Sequence, residues 1–190
     1  LCVAYLWSQE PMKWLKVSEF QSFKFSGIAI LLMLVALPAI NLLSYWNQQM
    51  SLPAFLEPLE QWMKTSEESA KVLTEQFMHT TTFGGLIINL LLMAVLPAIG
   101  EELTFRGVLQ RLLTPRIITS SPYCQTPHIA IWCSALLFSA IHLQFYGFVP
   151  RMLMGALFGY ALVWTGSLWV PILMHFTNNA MAVLLYFVSL

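Results

Sequence analysis

Three short stretches carry the residues whose types and spacing could do chemistry: "GEELTFRG" at 100–107, "FSAIH" at 138–142 and "HFTNN" at 175–179. Each lies within or just after an apolar run. A charged side chain at mid-membrane costs roughly 2.5–3.5 kcal/mol on insertion scales, so one kept there faces a bundle interior and reads as functional. Glu102 and Arg106 are four residues apart and share a helical face, where pairing offsets two expensive charges. Glu101 is rotated about 100° from Glu102 and can face a different space. A carboxylate in a half-dry cavity suits a general base, and His142 can share that work on a water. His175 and Asn179, also four apart, present two donors on one face, which fits a developing oxyanion. Asn178 and Asn179 flank the direction of His175 almost equally, so helix geometry does not choose between them.

Elimination narrows the chemistry. All nine acidic residues are Glu, which removes an aspartyl dyad. No G-x-S-x-G occurs for a serine nucleophile, and no H-E-x-x-H for a zincin. What is left, Glu with two His and an Asn, is enough to activate water and attack a carbonyl.

The elements that must hold these residues are apolar helices. The chain has 190 residues, 58% of them hydrophobic and 9% charged, against roughly 25% charged in ordinary soluble domains. It has zero formal net charge and no basic stripe, so a nucleic-acid partner is not expected. A membrane span needs about 20 apolar residues. Residues 27–46, 84–99 (continuing through the acid pair), 129–145, 148–165 and 168–188 read as five spans. The opening "LCVAYLW" resembles the tail of an apolar segment, so a further helix upstream is expected. Between the first two spans, "FLEPLEQWMKTSEESAKVLTEQFMHTTTF" alternates Glu and Lys with apolar residues at helical spacing. It reads as an amphipathic connector at the interface, with Trp62 and Phe77 as anchors.

The expected architecture is therefore an all-α polytopic transmembrane bundle of five to six spans with an amphipathic interfacial helix. It forms one membrane-embedded domain over 1–190: an N-terminal span and connector (1–83), then a catalytic core (84–190). Lys13, Lys16, Lys24, Arg111 and Arg116 fall on one side and Lys64, Lys71 and Arg151 on the other, which places the first set in the cytoplasm. Cys2, Cys124 and Cys133 have no metal-ligand spacing and read as small apolar helix residues. His79 and His128 read as interfacial, and Gly155 and Gly159 as a close-packing GxxxG pair.

These helices bring the candidates to one depth. With a turn near Ser121, Glu101 and His142 both lie about 20 Å from the loop joining their helices; His175 and Asn179 lie about 12–18 Å from the Gly166–Ser167 turn, on that same side.

The three motifs, EExxxR (Glu101, Glu102, Arg106), FxxxH (Phe138, His142) and HxxxN (His175, Asn179), occur in this order on apolar helices. Together they resemble the family of CAAX proteases and bacteriocin-processing enzymes (CPBP or ABI), which includes the type II CAAX prenyl endopeptidase. The resemblance runs from about Gly84 to the C-terminus. It implies an intramembrane endopeptidase of the glutamic type, with Glu101 and His142 activating water and His175 and Asn179 as the oxyanion site. Glu102, Arg106 and Phe138 would support them, and the HxxxN pattern selects Asn179 over Asn178. No cofactor is expected, though two His and a Glu are also a zinc-capable set. The partners it implies are a lipid bilayer and a peptide or protein substrate entering from the membrane or its interface; the expected location is a bacterial cytoplasmic membrane. The rival readings are a zinc protease using the same residues and a non-enzymatic immunity or scaffold protein.

Overall fold

In the computed structural model, residues 2–18, 20–114 and 127–190 are described. Among them every regular element is helical: α1 (Cys2–Trp7), α2 (Pro11–Trp14), α3 (Phe23–Gln48), α4 (Glu57–Met78), α5 (Phe83–Leu113), α6 (His128–Ala140), α7 (Phe148–Thr165) and α8 (Trp169–Ser189). Four helices are long and apolar enough to cross a membrane: α3, α5, α7 with the tight turn before it (Phe145–Thr165), and α8. The protein is an integral membrane protein built as an all-α bundle. Large apolar side chains stay exposed along the outer faces, Phe23 at 94% and Val188 at 82%, as lipid in place of water permits.

The span expected over 129–145 is shorter. Helix α6 has 13 residues, about 20 Å of rise, which falls short of a hydrocarbon core of about 30 Å. The helix ends because the amides of His142 and Leu143 bond three residues back, to Ser139 and Ala140, and Leu143 takes a positive φ of 52°. No Gly or Pro marks this turn in the sequence. The turn expected near Ser121, together with Arg116 and Cys124, lies outside the described residues. Cys2 and Cys133 are free and exposed rather than packed inside.

Helix α5 is not uniform. It opens with Thr82, whose hydroxyl accepts from the Gly85 amide, a side-chain N-cap. It then widens twice into π-helical turns, at Leu91–Val95 and Leu103–Leu109. Wide turns disturb the regular ladder, and each here has a carbonyl bonded from another helix. Met93 O accepts from the Asn179 amide at 3.2 Å, and Phe105 O from the Ser134 hydroxyl at 3.1 Å.

Two apolar clusters clamp the bundle. Ala29 and Met33 of α3 pack on Phe158 and Ala161 of α7 and on Val170 and Met174 of α8. Ala98 of α5 meets Leu162, Leu168 and Ile172. The turn from α7 to α8 is closed by Gly166 at φ 68°, a left-handed cap that favours glycine. The N-terminal segment is tied to this end, because Lys16 O accepts from the Leu168 amide and Val17 O from the Trp169 indole. Arg111 lies over the Trp14 ring there. At the opposite end Asn47 of α3 bonds Phe145 O, and Glu67 of α4 accepts from the Tyr146 amide. The two sets of basic residues separated by sequence thus sit at opposite ends, so far as they are described.

Gly155 and Gly159 let α7 approach α5 and α6 closely. A Cβ on Gly159 would lie 2.7 Å from Gln110 Oε1 and 2.9 Å from Ile131 Cγ2. Gln110 is buried and donates to Gly159 O, so it has little room to withdraw. Gly159→Ala is expected to lose about 1–3 kcal/mol through overpacking, more than the roughly 1 kcal/mol of helix propensity that Ala gains. Thermal unfolding in detergent checks this; an unchanged midpoint would show that the contact yields.

Candidate active site

Helices α5, α6 and α8 bring the expected residues around one cavity of about 390 Å³, whose walls include Glu101, Phe138, His142, His175, Asn178 and Asn179. Beneath it lies a sealed ionic layer. Glu102 and Arg106 are both fully buried and pair at 2.8 Å. Arg106 also donates to Gly155 O at 2.8 Å, and its guanidinium stands 4.4 Å from the Phe138 ring centre and 5.3 Å from that of Phe158. Gly155 is needed for this approach, since a Cβ there would come within 3.0 Å of Arg106 Nη2. Phe138 also meets both imidazoles edge-on, which makes it the wall that fixes their planes.

Glu102 does more than hold Arg106. Its Oε1 also lies 2.8 Å from His175 Nδ1. An ionised carboxylate only accepts, so Nδ1 carries the proton and Nε2 faces the cavity. His142 is set the same way: Nδ1 is 2.7 Å from Phe138 O, a carbonyl that can only accept. In its neutral form each ring therefore turns a bare Nε2 toward the same point. That point is Glu101. Its Oε2 is 3.8 Å from His142 Nε2 and 3.8 Å from His175 Nε2, too far for a direct hydrogen bond. It has no hydrogen-bond partner among the described residues, although it is buried.

The asparagines are linked to each other. Both line the cavity, and Asn178 donates to Asn179 Oδ1 at 3.1 Å while Asn179 donates to Met93 O. One N–H of the Asn179 amide is thus committed to α5, leaving the second for the cavity.

Sequence reasoning missed two parts of this wall. Thr74 and Met78 of α4 line it, so the amphipathic connector also roofs the cavity. The helix is fixed there by Trp62 against Phe145, ring centres 5.3 Å apart, and by Asn89, which donates to Met78 O. Arg151 and Gln144 are the second part; the order "HLQFYGFVPR" places a cation nine residues after His142, and that proximity is the signal available. His128 stands apart, bonded to the Tyr160 hydroxyl at 2.8 Å. No group of three or more metal-ligating side chains with metal-binding geometry occurs among the described residues.

The family model described as type II CAAX prenyl endopeptidase Rce1-like matches residues 83–181, just over half of the chain. The chain belongs to the Rce1-like family. The matched region holds all three motifs, whereas α3 and the roof helix α4 precede it. An uncharacterised protein of Bacillus subtilis (strain 168), YpbD, is 31% identical over 98 residues, which is 50% of this chain and 43% of that protein. The chain thus matches less than half the length of this relative. No solved structure matches.

Proposed function

We propose that this Rce1-like protein is an intramembrane endopeptidase that hydrolyses peptide bonds with water activated by Glu101 and His142. One observation carries the proposal: Glu101 Oε2 is faced by two imidazole atoms able to accept, His142 Nε2 and His175 Nε2, each across a 3.8 Å gap. Three acceptors around one point suit a guest rich in hydrogen, and a single water can bridge such gaps. A water donating to Glu101 and His142 keeps a lone pair free for a carbonyl carbon. As the C–O bond forms, Glu101 takes the proton. The carbonyl oxygen becomes an oxyanion beside Asn179 and His175; the free Asn179 amide N–H donates to it, and His175, after taking a proton from solvent and held by Glu102, donates from Nε2. Collapse breaks the C–N bond, and the proton on Glu101 leaves with the amine.

The substrate is a peptide or membrane-associated protein reaching the cavity from the bilayer or its interface. The membrane is a bacterial cytoplasmic one, with Lys13, Lys16 and Arg111 at the cytoplasmic end. Residues 84–190 form the catalytic core of a single domain. The test is cleavage of a proteome-derived peptide library by purified protein, with products identified by mass. Discrete products lost in Glu101→Gln support the reading; no products at all would favour a binding or scaffold role.

A second reading rests on the same three acceptors, because a cation also suits them, and a His backed by a carboxylate is a common metal-ligand arrangement. We favour the metal-free enzyme, since Glu101 is the one anionic group among the three and the buried Arg106 adds positive charge beneath them. Active protein is expected to carry negligible zinc by elemental mass spectrometry. Activity lost to a chelator and restored by zinc would make the metal reading correct.

The asparagine pair gives a finer prediction. Asn179→Ala removes both the cavity donor and the tie to Met93, and turnover is expected to fall about 10²–10³-fold. Asn178→Ala removes only a bond to Asn179 and should cost much less. Single-turnover cleavage of one fluorogenic peptide compares them, and a slower Asn178→Ala enzyme would reverse the assignment.

A further inference from the structure

Arg151 is the cation that the hydrolytic chemistry leaves unused. It stands on the first turn of α7 and lines the same cavity as Glu101 and His142. Its hydrogen bonds run to one neutral residue: Nη1 to Gln144 O at 3.4 Å and Nη2 to Gln144 Oε1. Among the described residues no carboxylate lies within ion-pair distance of it. Glu67 and Glu101 act on it only through space. Elsewhere in the site the contrast is plain, since Arg106 is sealed against Glu102 at 2.8 Å. A partly buried guanidinium that faces the cavity with only a neutral amide for a partner keeps its charge open to a ligand.

We propose that Arg151, braced by Gln144, binds a carboxylate of the peptide substrate; this rests on the peptide-cleaving reading above. Guanidinium and carboxylate match as a planar two-pronged pair, which fixes direction as well as charge. The cavity is in the size range of small-ligand sites and contains both Arg151 and Glu101. The bound carboxylate therefore lies within a few residues of the scissile bond, either at a free C-terminus or on a Glu side chain near it. Gln144 and Arg151 then set which peptides are cut and where, while the Glu101 group does the cutting. Arg151 is a substrate-binding and specificity residue, without a part in the proton transfers.

Three forms of one candidate peptide separate the sources: a free C-terminal acid, the C-terminal amide, and the amide with Glu as its last residue. Affinity is measured on Glu101→Gln protein by fluorescence anisotropy, and kcat and KM on active protein. The acid, the Glu amide or both should bind about 10- to 100-fold more tightly than the neutral amide, as a desolvated charge-assisted pair does. The difference should appear in KM rather than kcat. Arg151→Gln should bring the ratio close to one, and Arg151→Lys should recover part of it. Gln144→Glu keeps the guanidinium but gives it an internal partner, so it too should erase the ratio. That variant covers the case in which Arg151→Gln fails to fold. Equal binding of all three peptides overturns the proposal while leaving the endopeptidase reading intact. Discrimination in binding without cleavage of any peptide supports the subsite and sinks the endopeptidase reading instead. A ratio that survives both Arg151→Gln and Gln144→Glu means that another group reads the carboxylate.

Discussion

Glu101→Gln is expected to lower turnover by about 10²–10⁴-fold, the range that a positioned general base supplies, with almost no change in stability. The amide has the shape of the carboxylate but cannot take a proton from water. Stability is spared because Glu101 Oε2 has no hydrogen-bond partner to lose among the described residues. An amide N–H turned toward the bare imidazole nitrogens would even be well placed. Turnover and detergent unfolding of the same preparation give both numbers. Full activity in Glu101→Gln would remove this residue from the chemistry.

Glu102→Gln is the opposite case and should damage both quantities. Arg106 is fully buried, and Glu102 Oε1 is its charge partner. Removing one member of a buried pair strands the other and typically costs about 3–5 kcal/mol. The same oxygen accepts from His175 Nδ1, so His175 also loses the anion that fixes its tautomer and supports its charged form. The double variant Glu102→Gln/Arg106→Met separates the effects. Neutralising both members should restore much of the stability, while turnover stays low because His175 still lacks its carboxylate. Recovery of turnover in the double variant would make Glu102 an anchor for Arg106 and nothing more.

The parts legible in sequence were those fixed by short-range helical geometry. Glu102 and Arg106 meet because four residues make a turn, and Glu101 faces elsewhere because one residue makes a rotation of about 100°. The convergence of Glu101, His142, His175 and Asn179 followed from counting residues to the nearest turns. The parts that were not legible depend on departures from regular geometry or on contacts between distant segments. Helix α6 stops at Ala140 through a tightened turn that no Gly or Pro announces. The first wide turn of α5 has its signal in Pro97, which has no N–H to offer the Met93 carbonyl four residues back, whereas the second leaves none. The bond from His175 to Glu102 links positions 73 apart, and spacing along one helix cannot show it. In sequence Arg151 reads only as a topology charge near a span end, because the lack of a carboxylate beside it is a property of its neighbours in space. The roof made by Thr74 and Met78 is of the same kind: the amphipathic pattern of α4 shows that one face is apolar, but not what that face covers.

The wide turns of α5 also bear on how this chain can change length. A π turn is a regular helix with one residue inserted, so deleting a residue from 107–109, beyond Arg106, would close the second one and leave a continuous α-helix. Everything beyond would swing by about 100° about the axis, carrying Gln110 away from Gly159 while Glu101 and Glu102 stayed in place. A deletion at 94 or 95 would put the Ala98 amide, in place of Pro97 with its missing N–H, four residues past Met93, drawing the Met93 carbonyl into the ladder and away from Asn179. In both cases the letters of all three motifs survive and the helix still spans. A one-residue gap at either position in a relative therefore signals a rearranged site, even where EExxxR, FxxxH and HxxxN read unchanged.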